Sequence, residues 1–151
     1  MFTSYILLSA YSRVETIRYF KKNSYVNYKD INLTILPINV IGNPREIDKK
    51  IMIDDYFKNK VPFPFITKLK YLFKSIFTKL FFKEIISINI FDITIMKRFF
   101  QSMSSYQLSY EYFDNYLSDK GNLRNTIIYT YWHNEFSYAL QSLKKKYNYK
   151  M

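Results

Sequence analysis

Apolar positions change their spacing several times along the chain, and each change predicts a different element. Phe2 to Leu8 is rich enough in β-formers for a first strand, followed by a turn at Ser9 to Ser12 and a helix-permissive stretch from Val14 to about Asn27. Ile31 to Ile38 is dense in aliphatic and β-branched residues and reads as a buried strand, with Pro37 suited to its exit. Gly42-Asn43-Pro44 marks a turn, Ile51 to Ile53 a short further strand, and Val61-Pro62-Phe63-Pro64 an extended entry to the next segment.

The pattern then becomes helical. Phe65, Ile66, Leu69, Leu72, Phe73, Ile76, Phe77, Leu80 and Phe81 recur at three- and four-residue spacing, which predicts one amphipathic helix with Lys68, Lys70, Lys74, Lys79 and Lys83 off its apolar stripe. A second helical pattern, with Asp92 as its cap, places Met96, Phe99, Phe100, Met103, Tyr106, Tyr110, Phe113 and Leu117 on one side and ends near Lys120-Gly121. Thr126 to Tyr131 has the β-branched and aromatic content of a core strand. The helix after it would bury Phe136, Ala139, Leu140, Leu143 and Tyr147, with Glu135 in its positive first turn and Lys144-Lys145-Lys146 in its negative last turn. Tyr147 to Met151 reads as the approach to another strand. Strands alternating with helices in this order predict an α/β domain over 1–151, a parallel sheet with crossover helices and no internal boundary.

Composition sharpens parts of this picture. Hydrophobic residues make up 48% of the chain, aromatics 21%, enough apolar surface for a core. Cysteine is absent, which removes disulfides, thiolate metal sites and cysteine nucleophiles, and fits a reducing compartment. Charged residues interrupt every apolar run well before the ~20 residues of a spanning helix. The formal net charge of +11 predicts attraction to polyanions, although abundant Lys, Asn, Ile, Phe and Tyr beside 2 glycines is also what AT-rich coding would produce. The lysines of the amphipathic segment, Lys68, Lys70, Lys74 and Lys79 in particular, have two readings: a face for an anionic membrane, or the solvated side of an ordinary core helix. Neither exposed aromatics interleaved with arginine nor a known module is visible for nucleic acid, so no nucleic-acid partner is expected.

Candidate chemistry is sparse. His133, the one histidine, follows a strand and opens a helix, where open α/β sheets place ligands, but no second histidine accompanies it as a metal ligand. Trp132 could stack on a sugar ring or fill the junction between strand and helix. Glu135 could serve as acid or base, and its place in a first helical turn also has a complete electrostatic explanation. Gly42 and Gly121 do not make a phosphate-cradling loop. No catalytic residue, metal site or cofactor is therefore assigned.

Two stretches resemble family 4 glycosyltransferases that build bacterial surface polysaccharides. Ile31 to Ile53, INLTILPINVIGNPREIDKKIMI, is similar to the second strand and following loop of their N-terminal domain. Thr126 to Lys146, TIIYTYWHNEFSYALQSLKKK, is similar to their strand ending in Tyr-x-Tyr-Trp and the lysine-ended helix after it, and Val14-Glu15-Thr16-Ile17 echoes a Glu-Thr-Phe-Ile segment. The resemblance implies an incomplete Rossmann-like parallel sheet, the N-terminal half-domain of a GT-B fold, ending before the family's active-centre histidine and donor domain. It implies an acceptor-side fragment, inactive alone, for transfer from a nucleotide-sugar donor, held by a missing C-terminal domain, to a saccharide or lipid-linked acceptor. Tyr131, Trp132 and His133 would then line the substrate side, and the location would be cytoplasmic, at the inner face of the membrane. A basic peripheral-membrane or protein-interaction module without enzymatic activity is the alternative.

Overall fold

The computed structural model describes residues 4–9, 32–37, 51–54, 56, 64–130 and 134–151. Among them are four strands, β1 (Ser4–Ser9), β2 (Asn32–Pro37), β3 (Ile51–Ile53) and β4 (Thr126–Thr130). There are four helices, α1 (Phe65–Ile76), α2 (Lys79–Ile86), α3 (Ile93–Ser118) and α4 (Glu135–Tyr147). The helix-permissive stretch 14–27 and the turn at 42–44 lie outside the described residues.

The chain divides into two compact units. One carries the strands, which pair in parallel in the order β3-β2-β1-β4. Ile6 of β1 lies between Thr34 of β2 and Ile128 of β4, and Ile6, Leu36 and Ile128 are buried. The same unit includes the end of the chain. Asn148 takes a left-handed φ of 57° after α4, the conformation that lets a helix stop without strain for an asparagine. Lys150 then forms a single parallel bridge beside Ile127, with the Ile128 N–H donating to its carbonyl at 2.8 Å and its own N–H donating to the Thr126 carbonyl at 3.0 Å.

The other unit contains α1, α2, α3 and the first part of α4. The single helix expected from Phe65 onward is two helices, because the chain breaks at Phe77 and Thr78. The Thr78 side chain accepts from the Phe81 N–H at 3.2 Å, so a threonine within an apolar periodic run becomes a helix cap. Asp92 caps α3 as its sequence suggests, accepting from Thr94 and Ile95 N–H at 2.8 and 3.1 Å. Gly121, at φ 72°, follows the end of α3 in the left-handed region that favours glycine. Helix α1 packs on α3 through small polar residues: Ser75 is fully buried, and the Ser104 hydroxyl donates to the Lys68 carbonyl. Phe81 of α2 lies 5.2 Å from Phe99 and 6.3 Å from Phe100, and Phe113 meets Phe136 of α4 edge-on at 6.1 Å. Leu108, Phe113, Leu117, Ala139, Leu140 and Leu143 are buried.

This arrangement corrects the expected fold class. The described residues are mostly helical, and α3 alone runs for 26 residues against strands of three to six. A Rossmann-like sheet clad in crossover helices needs each helix to lay its apolar stripe on the sheet. Here α1, α2 and α3 follow one another between β3 and β4 and gather in a unit with a core of their own, so an incomplete GT-B half-domain does not describe them. The physical reason lies in the apolar stripe of α1. Ser75 is the residue this helix buries, while Phe65, Ile66, Leu69 and Phe73 of the stripe are exposed.

Candidate functional site

Exposed apolar side chains concentrate in 65–95. Phe65, Leu69, Phe73 and Phe77 repeat every four residues on the outer side of α1 and its C-cap, with exposures of 78%, 43%, 60% and 85%. The same character continues beyond α1: Phe82, Ile86, Ile90, Phe91 and Ile93 are exposed, Phe91 at 89%. Burial of aromatic side chains of this size is among the largest favourable contributions available to a fold, so leaving several of them out together is a feature of the surface and not an incidental exposure.

Of the lysines singled out from the sequence, Lys70 and Lys79 are exposed, Lys70 directly beside the apolar line of α1. Lys68 is only partly exposed, and its carbonyl belongs to the crossing of α1 with α3. Lys74 has a protein partner: its ammonium lies 2.8 and 2.9 Å from the two carboxylate oxygens of Glu111 and 4.9 Å from the centre of the Tyr71 ring. Burial alone would raise the Glu111 pKa, but hydrogen bonds from Lys74, Tyr71 and Gln107 and the charge of Lys74 outweigh it and hold the carboxyl below its ordinary value. Lys83 and Lys97 add two exposed cations to the same stretch. Tyr131, Trp132 and His133, the residues expected on the substrate side, lie outside the described residues.

Comparison of the chain with protein-family models, with curated proteins and with solved structures finds no match. What the surface can do must therefore be read from its own chemistry. No helix among the described residues is long and apolar enough to cross a membrane. Nor do the described residues bring three or more His, Cys, Asp or Glu side chains together for a metal ion.

A second feature was not legible in the sequence. An open groove of about 860 Å³ runs between α2, α3 and the first part of α4. Leu80, Ile88, Ile95, Phe99 and Met103 give it apolar walls, and Glu84, Arg98, Ser102, Tyr106 and Glu135 bring polar groups into them. Glu135, which the sequence placed in a first helical turn, accepts from the Ser102 hydroxyl at 2.6 Å, and Tyr106 and Ser142 share a hydrogen bond at 2.9 Å. Hydrogen bonds between α3 and α4 have no local spacing to announce them, and neither has the placing of Arg98 and Glu84 along one groove.

Proposed function

We propose that this protein attaches peripherally to an anionic lipid surface through the α1–α2 region. The observation that carries the reading is the exposure of Phe65, Phe73, Phe77, Ile86 and Phe91 in one stretch with exposed Lys70, Lys79 and Lys83. Apolar side chains flanked by lysines suit the boundary between headgroups and acyl chains: rings enter the interface while ammonium groups stay with lipid phosphates. Each lysine near such a surface contributes about 1 kcal/mol. Attachment of this kind lies on the membrane and needs no helix long and apolar enough to cross it, and there is none among the described residues. An inner, anionic bacterial leaflet would supply the charge. Sugar transfer, implied by the family resemblance, draws no support from the described residues, because Tyr131, Trp132 and His133 fall outside them.

The test is co-sedimentation with vesicles of phosphatidylglycerol and phosphatidylcholine against phosphatidylcholine alone. Binding should favour the anionic vesicles. Phe73→Asp with Phe77→Asp should abolish it, and Lys70→Gln with Lys79→Gln should weaken it roughly thirtyfold, from about 1 kcal/mol per lysine. Far-ultraviolet circular dichroism checks that the variants keep their helices. Equal binding to both vesicle types, or a self-association that uses up the same phenylalanines and leaves vesicles unbound, would overturn the proposal.

A further inference from the structure

We infer that the groove between α2, α3 and α4 is a binding site for a single-chain amphiphile with a zwitterionic head, an anionic phosphate joined by a short spacer to an ammonium group. The argument begins with the groove's polarity. Along α3, Ile95, Phe99 and Met103 follow at four-residue spacing, and Leu80 and Ile88 face the same space from α2 and the turn after it. From Ile95 to Tyr106 the helix rises about 16 Å, the length of a medium alkyl chain laid along it. Apolar walls with a few placed polar groups are the usual make-up of a small-molecule site.

The charges then choose the head. Arg98 has no ion-pair partner among the described residues, and neither does Glu84. Glu135 has one carboxylate oxygen on the Ser102 hydroxyl. A purely anionic head would satisfy Arg98 and face two carboxylates, while a purely cationic one would satisfy the carboxylates and face Arg98. A head with both signs serves both. Arg98 is one turn before Ser102, the residue that holds Glu135, so both signs of charge open onto the same part of the groove. A two-carbon spacer keeps phosphate and ammonium close enough to serve that one part of the groove together. Guanidinium suits the phosphate because its fork of donors fits phosphate oxygens.

The groove shares α2 with the vesicle-binding face but uses other residues of it, and the experiment keeps the two apart. Monomeric dodecylphosphocholine, dodecyl phosphate and dodecyltrimethylammonium, all below their micelle concentrations, are titrated into the protein by calorimetry. The zwitterion should bind at least roughly tenfold more tightly than either probe whose head carries charge of one sign only. Arg98→Gln should erase its advantage over the ammonium probe, and Glu135→Gln with Glu84→Gln should erase its advantage over the phosphate probe. Phe73→Asp with Phe77→Asp should leave all three affinities unchanged, and Glu135→Gln should leave vesicle binding unchanged. Equal affinity for the three heads, or preferences that survive both sets of variants, would overturn the inference whatever the vesicles show.

Discussion

Glu111 shows how a single carboxylate on α3 answers to a helix 37 residues earlier, through Lys74 at 2.8 Å. Both side chains keep contact with solvent, with exposures of 43% for Lys74 and 31% for Glu111, so the pair is worth about 0–1 kcal/mol and not the value of a buried bridge. Its pH dependence has a definite sign. A carboxyl whose pKa is lower in the folded state stabilises the protein above its unfolded value, near 4.5, and loses that contribution as pH falls through the folded value. Glu111→Gln should therefore lower stability slightly at neutral pH, and the difference from wild type should vanish once both are well below pH 4.5. Urea unfolding at a series of pH values reads this directly. A gap that persists in strong acid would mean that Glu111 acts through packing and not charge.

Helix α1 is the element whose sequence and environment diverge most. Its periodicity is that of a core helix, with phenylalanine and leucine every three or four residues, and by pattern alone that stripe belongs inside. The crossing with α3 instead uses Ser75 and Ser104, small residues that let the two backbones approach closely. Ser75→Leu, conservative by helix propensity, should then destabilise the helical unit by about 1–3 kcal/mol, because the new side chain has no space in the crossing. Ser75→Ala should be much milder. Denaturation followed by circular dichroism distinguishes the two, and a Ser75→Leu protein as stable as wild type would show that α1 does not pack through this residue.

Across the whole chain, the formal charge of +11 sets the strength of attraction to anionic surfaces, and the ionic strength sets its range. Raising salt from about 0.1 M to about 1 M shortens the Debye length from about 10 Å to about 3 Å, so binding to anionic vesicles should weaken at least roughly tenfold. A residual part, carried by exposed phenylalanines such as Phe77, should survive. Salt-independent binding, measured by the same sedimentation, would assign the attraction to apolar contact alone. The local elements were legible in the sequence because their causes are local. The β-branched runs at 32–37 and 126–130, the Asp92 cap and the Gly121 exit all act within a few residues. Packing partners have no such local signature. Which side of α1 turns inward, which helix receives Glu135 and how Arg98 comes to share a groove with Glu84 depend on residues brought together over tens of positions. An apolar stripe records that a face prefers to leave water; whether protein covers it is settled by the competing contacts available elsewhere, and here Ser75 and Ser104 are buried while Phe65, Phe73 and Phe77 are exposed.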